Sequence, residues 1–138
     1  MLIDTPFEFL VDGVPISSQG SAGSKAAWRQ SIREALGKRR EGWHWALEGP
    51  VHVTILYFPS APMEGDIDNI VKPILDAMIG PVYVDDQQVE RLLVEKFEPD
   101  RAITAVNPSR ELASALARSR PVLYVRIDDE RSKSGGQL

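Results

Sequence analysis

The chain has 138 residues, 43% apolar and 26% charged, the composition of one ordinary globular domain; this excludes a disordered or fibrous chain and is short for two domains. It has no cysteine, which excludes disulfides, thiolate metal sites and a cysteine nucleophile, and a reducing, cytoplasmic setting is expected. The net charge of −4 is unevenly spread: residues 24–45 carry six bases against two acids, residues 61–100 ten acids against three bases, and residues 101–138 a net +3. No apolar run approaches the ~20 residues of a membrane-spanning helix, and the first residues lack the basic segment of a signal peptide.

In chain order, "FEFLVDG" (residues 7–13) reads as a strand closed by a turn, and "VPISSQGSAGS" as a mobile loop. The stretch "SKAAWRQSIREALG" predicts a helix capped by Ser24 and stopped by Gly37, with Lys25, Arg29 and Arg33 on one row at four-residue steps. "PVHVTILYFP" (residues 50–59) is a strand with Val51, Val53, Ile55 and Tyr57 on one face and Thr54, Leu56 and Phe58 on the other. A helix follows over about 68–79, because Ile67, Ile70, Val71, Ile74, Leu75 and Met78 form one apolar stripe. Pro73 belongs in its opening turn and Asp68 or Asn69 at its N-cap. "IGPVYVDD" stops that helix and opens a short strand. Residues 89–99 read as a further strand, 107–119 as a helix and 121–128 as the last strand. Alternating strands and helices predict a single small α/β domain over residues 1–128, with 129–138 a frayed polar tail.

The chemistry concentrates in "GDIDNIVKPILDAMIGPVYVDDQQV" (residues 65–89). Asp66 and Asp68 stand at the entry to the helix, Asp68, Lys72 and Asp76 lie on one row opposite the apolar stripe, and Asp85 and Asp86 follow the return. Like charges gathered in one place repel unless something positive sits among them. Converging carboxylates are hard oxygen ligands of the kind Mg²⁺ takes, and a lysine one turn along is placed to meet a phosphate.

Each acid taken alone has an ordinary structural reading as a helix cap, a dipole partner or a turn residue. A calcium loop of EF-hand type fails, since Ile70, Val71 and Ala77 fall where a ligand, a glycine and a glutamate are required. Glycine-rich phosphate loops, zinc-binding HExxH and nucleophile elbows are missing, and His44 and His52 have no partners at ligand spacing. The metal reading rests on the constellation.

Asp66-Ile-Asp68-Asn69, then Lys72, Asp76, Gly80 and Asp85-Asp86-x-Gln88-Val89 resemble the signature of the RusA family, the crossover-junction endodeoxyribonucleases of bacteria and their phages. The resemblance implies a mixed β-sheet packed by two or three helices. It also implies a homodimer that resolves a four-way Holliday junction by paired nicks with Mg²⁺, for which Mn²⁺ can substitute. By that resemblance Asp66, Asp68 and Asp86 are the metal-binding and catalytic carboxylates and Lys72 the essential base. Asn69, Asp76, Asp85 and Gln88 belong to the motif and would orient the ligands.

Hydrolysis of a phosphodiester by carboxylate-held metal agrees with the residue reading, and two sites related by a two-fold axis suit a two-fold junction. Lys25, Arg29 and Arg33 would then track DNA phosphates. Trp28 stands at core spacing, although a base could stack on it. The competing readings are a nucleolytically inactive DNA-binding or recombination-accessory domain of the same fold, and a structural acidic domain whose carboxylates never meet.

Overall fold

The structure, a computed structural model, describes residues 2–40 and 44–132. Its elements run β1 (Phe7–Asp12), α1 (Ala22–Arg39), β2 (Val51–Phe58), α2 (Val71–Met78), β3 (Val89–Lys96), α3 (Arg110–Ala117) and β4 (Val122–Asp128). The strands form one mixed sheet in the order β1-β4-β2-β3. β4 lies antiparallel to both its neighbours, and β3 lies parallel to β2 on an edge. A parallel pair needs a crossover, and here the crossover is α2 with the turns on either side of it. That connection carries the whole acidic motif.

The alternation in "VHVTILYF" works as expected. Val51, Val53, Ile55 and Tyr57 are buried against α1 and α2, while Phe58 joins Val122, Tyr124 and Ala115 in a smaller cluster beneath α3. α1 contributes Trp28, Ile32 and Leu36 to the larger core, so Trp28 is a core residue. α2 contributes Ile74, Ala77 and Met78, all fully buried. Burying each large apolar side chain contributes on the order of 1.5–3 kcal/mol, which fixes α2 by its apolar stripe and leaves Lys72 and Asp76 on its other face.

Four expectations are corrected. α1 begins two residues early, because the Ser21 side chain accepts the Ser24 N–H at 3.1 Å, and it runs through Gly37. The entropic cost of a helical glycine, about 1 kcal/mol, is offset where buried Leu36 and the Arg39–Glu111 ion pair hold the last turn. The helix expected from residue 68 is a 3₁₀ turn, Ile67–Ile70, running into α2, and neither Asp68 nor Asn69 caps it. Residues 79–84 form a turn instead of a strand: Val82 and Tyr83, adjacent in sequence, are both fully buried, which alternation on one sheet face cannot supply. Gly80, at φ +98°, lets the chain reverse, and its N–H donates to the Tyr83 carbonyl at 2.7 Å. Finally, β3 ends at Lys96, short of the expected 99.

The loop expected to be mobile is tied down. Pro15 is buried, Ser18 N–H donates to the Asn69 carbonyl at 2.7 Å, and Lys25 Nζ donates to the Ser18 carbonyl at 3.2 Å. Within the expected tail, Glu130–Ser132 form a 3₁₀ turn, with Asp129 accepting from Thr5 Oγ1 at 2.5 Å. The remainder of that tail lies outside the described residues. Among the described residues no helix is long and apolar enough to cross a membrane.

Candidate active site

Two chain segments meet at the site. The first enters from Gly65, which takes φ +78°, passes through Asp66 in an extended conformation (φ −101°, ψ 149°), then turns through Ile67–Ile70 into α2. Ile70 and Ile74 are anchored in the core, so Lys72 and Asp76 face outward, with Lys72 Nζ 2.9 Å from Asp76 Oδ1. The second segment is the return. It brings Asp86 Oδ2 to 2.5 Å from the same Lys72 Nζ.

Asp86 is held where it is by its neighbours. It opens a 3₁₀ turn, Asp86–Gln88, for which Asp85 and Gln88 form a capping box. The Gln88 carboxamide oxygen accepts from Val84 N at 2.8 Å and Asp85 N at 2.9 Å, while its Nε2 donates to the carbonyls of Leu47 at 2.8 Å and Gly49 at 2.9 Å. One side chain thus pins the turn to the segment leading into β2. Beneath it, Tyr83 is fully buried and its hydroxyl donates to the Leu75 carbonyl at 2.7 Å, fastening the return to α2. These bonds set the separation between the Lys72 row and Asp86.

The charges follow from this placement. Lys72 is raised well above its ordinary 10.5, chiefly by its hydrogen bond to Asp86 and then by that to Asp76. A raised lysine stabilises the fold at every pH below its unfolded value, and the contribution is lost only as pH rises through the folded value; the ammonium is therefore charged throughout the physiological range. Tyr83 is also raised, first by burial and then by the negative charges of Asp86, Asp76 and Asp85, so its hydroxyl stays a protonated donor.

The structure therefore brings together Lys72, Asp76 and Asp86, with Asp85 and Gln88 on the same turn. The positive group among the acids is the ammonium of Lys72. Asp66 and Asp68 are exposed and their carboxylates have no partner among the described residues. Among those residues no group of three or more His, Cys, Asp and Glu side chains is arranged to hold a metal ion. The donor chemistry of Asp66, Asp68 and Asp86, all carboxylate oxygen, is that of a hard divalent cation.

The basic row divides. Arg33 donates to the Ala77 carbonyl at 3.2 Å and the Ile79 carbonyl at 3.4 Å, closing the C-terminal end of α2, and Arg40 donates to the Pro81 carbonyl at 2.8 Å. Lys25 braces the loop before α1. Arg29 is exposed, without a partner among the described residues. Sequence reasoning missed Arg33 and Arg40 as clamps on the site, since their acceptors lie more than forty positions away (separations of 44 and 41) and are backbone carbonyls, which leave no residue signature. It also missed Tyr83, whose place in "VYV" looked like a strand position.

The family model described as Endodeoxyribonuclease RusA matches residues 21–107 of the chain. No curated protein sequence matches it.

Proposed function

Because the chain belongs to the RusA endodeoxyribonuclease family, we propose that it is a metal-dependent nuclease that resolves four-way DNA junctions by paired nicks, acting in the cytoplasm. The observation that carries this reading is the contact of Lys72 with Asp86, at 2.5 Å, across the two segments of the matched motif. It joins a cation suited to a phosphate oxygen with an acid suited to a metal.

Asp66, Asp68 and Asp86 would hold Mg²⁺, or Mn²⁺ in its place, which when bound activates a water and neutralises charge on the phosphate and the leaving oxygen. The protein's own groups do the rest. The ammonium of Lys72, exposed beside Asp76 and Asp86, would meet a non-bridging phosphate oxygen, where a fixed positive charge stabilises the developing negative charge. Asp76 keeps Lys72 in position meanwhile. Gln88 and Tyr83 hold Asp86 and α2 against displacement, and such preorganisation is what limits the loss of rate from misplaced groups. Arg29, with Lys25 and Arg33 on its row, lies on the helix packed against α2 and would meet the DNA backbone, a contact that orients the duplex without reading sequence. Two copies related by a two-fold axis would match the symmetry of the junction.

The test is cleavage of a synthetic four-way junction beside linear duplex, with and without Mg²⁺. The wild type is expected to nick the junction in symmetric pairs only with the metal, whereas Asp68→Asn and Asp86→Asn should bind the junction and leave it intact. Cleavage at wild-type rate by either variant would remove those residues from the reaction. Binding by the wild type with no cleavage under any metal would indicate an accessory DNA-binding domain.

A further inference from the structure

β3 is an edge strand whose outer side is left open. It is eight residues long and has no proline, and it exposes Leu92 (41%) and Leu93 (46%), neighbours in sequence and therefore on opposite faces of the sheet. The register with β2 sets Leu92 and Val94 beside Val53 and Ile55, on the face covered by α1 and α2, and Leu93 beside Thr54 on the other face. The Phe97 N–H donates to the Tyr57 carbonyl at 2.9 Å, so by alternation the odd positions of β3 turn their backbone groups toward β2. Leu92 and Val94 turn theirs outward. A long apolar edge with free backbone groups is a template for another strand, and proteins blunt such edges with prolines, bulges, short strands or a covering element. The middle of β3 has none of these among the described residues, and its register irregularity lies at its start, opposite Val51 and His52.

The charges of β3 select the strand that fits. Two copies pairing antiparallel in one sheet are related by a two-fold axis perpendicular to it, and directly opposite residues share a face. The pairing therefore centres on a residue opposite its own copy. Centring on Arg91 or Glu95 sets like charges face to face, which is destabilising. Centring on Leu92 sets Glu90 opposite Val94 and Arg91 opposite Leu93, and centring on Val94 sets Lys96 opposite Leu92 and Glu95 opposite Leu93. Centring on Leu93 sets Glu90 opposite Lys96, Arg91 opposite Glu95 and Leu92 opposite Val94. In that register every charge of the strand meets its opposite, twice over by symmetry, and the apolar residues meet one another. Glu90 and Arg91 have no side-chain partner among the described residues. Glu95 already accepts from Arg101 at 2.5 Å and Lys96 donates to Glu98 at 3.3 Å. A carboxylate has a second oxygen and an ammonium two further protons, so both have room for the added contact.

We infer that β3 pairs with β3 of a second copy, antiparallel and centred on Leu93, so that one sheet runs β1-β4-β2-β3-β3-β2-β4-β1 through both protomers. Leu92 and its partner's Val94 then exchange backbone hydrogen bonds in both directions. The inference deepens the two-fold reading proposed above and rests on it for the second copy. What it adds is where the two sites stand. A two-fold axis perpendicular to the sheet keeps the same face of both protomers on one side, so both copies of α2 and of the acidic motif look the same way. β3 also packs against the Ile67–Ile70 turn that carries Asp68, which sets both sites close to the axis. A junction laid across that face would meet both sites at once, one for each strand to be cut.

Cysteine replacement tests the register directly, because the chain has no cysteine of its own. Leu93 opposite its copy is a pair without backbone hydrogen bonds, with Cα atoms ~4.5 Å apart, inside the range a disulfide spans. Leu93→Cys should therefore become a covalent dimer under copper–phenanthroline oxidation, read on a non-reducing gel. Leu92→Cys alone should not, since its own copy lies diagonally about 8 Å away by strand geometry, but mixed with Val94→Cys it should cross-link. Sedimentation equilibrium gives a readout free of oxidation. The wild type should be dimeric, and Arg91→Glu, which sets two carboxylates opposite each other on both sides of the axis, should raise the dimer Kd by about tenfold or more. A monomeric wild type, an unchanged Kd in Arg91→Glu, or a Leu92→Cys protein that cross-links to itself in preference to Leu93→Cys would each overturn the inference while leaving junction cleavage to decide the nuclease reading. A protein that pairs through β3 yet leaves junctions uncut under both Mg²⁺ and Mn²⁺ would overturn the nuclease reading and keep the interface.

Discussion

Gln88 offers the sharpest test of how the site is assembled. Its carboxamide makes four hydrogen bonds at 2.8–2.9 Å, accepting two and donating two, and all join the Asp86 turn to its surroundings. A net contribution of roughly 0.5–1.5 kcal/mol per bond must be discounted for the exposed Val84 and Asp85 amides, which water can reach once the side chain is gone. Gln88→Leu should then destabilise the protein by about 2–3 kcal/mol, a fall of roughly 8–12 °C in Tm at ~4 °C per kcal/mol. Gln88→Glu separates the two halves of the bracket. The acceptors survive, but an ionised carboxylate would face the Leu47 and Gly49 carbonyls, so the introduced group has a raised pKa. Stability lost to a raised acid is absent below its unfolded value, near 4.3, and grows as pH climbs toward the folded value. Urea denaturation at pH 4 and pH 7, read as variant minus wild type, should show Gln88→Glu close to wild type in acid and about 2 kcal/mol weaker at neutrality. A Gln88→Leu protein within 0.5 kcal/mol of wild type, or a Gln88→Glu penalty that does not change with pH, would refute the bracket.

The remaining expectations concern other parts of the molecule. Lys72→Met should abolish junction nicking while changing the urea midpoint little, because an exposed ion pair is worth ~0–1 kcal/mol; a large loss of stability would make Lys72 structural. Ser109→Ala should cost about 1–2 kcal/mol in chemical denaturation, since Ser109 caps α3 by accepting from Leu112 N at 3.1 Å and also donates to the buried Glu8. Asp129 is lowered from its ordinary 3.8: burial would raise it, but Thr5 and Arg131 outweigh burial. Its contribution is therefore present above pH ~4 and lost as pH falls through the lowered folded value, so Asp129→Asn should flatten the acid limb of a stability–pH profile. Arg29→Ala should weaken junction binding and reduce the slope of log K against log salt by about 1, as measured by titration at several ionic strengths.

Much of this was legible because burial writes periodic patterns. The two faces of β2 and the apolar stripe of α2 could be read residue by residue. The start of α2 could not, because Asp68 and Asn69 have good capping chemistry, yet the buried Ile70 and Ile74 set where the helix begins. The 79–84 turn was disguised by β-branched and aromatic residues that fill the core from a turn. Most telling is the basic row. Identical spacing predicted one role for Lys25, Arg29 and Arg33, yet Lys25 also donates to the Ser18 carbonyl seven residues back, and Arg33 to the carbonyls of Ala77 and Ile79, which only folding brings near. The pairing of Lys72 with Asp76 could be read from their four-residue spacing; the contact with Asp86 comes from the fold, and Asp66 and Asp68, expected to converge with Asp86 on a divalent cation, are exposed without partners among the described residues.

The junction between the 3₁₀ turn and α2 has a consequence of its own. A 3₁₀ turn advances ~120° per residue and an α-helix ~100°, so rewinding Ile67–Ile70 by a single hydrogen bond would swing Asp68 around the axis while Ile74 and Met78 stayed seated. Asp68, exposed and without a partner among the described residues, sits ahead of the joint, and Lys72, held by Asp76 and Asp86, sits behind it. Adjustment and rigidity are allotted to neighbouring turns of the same short stretch of chain.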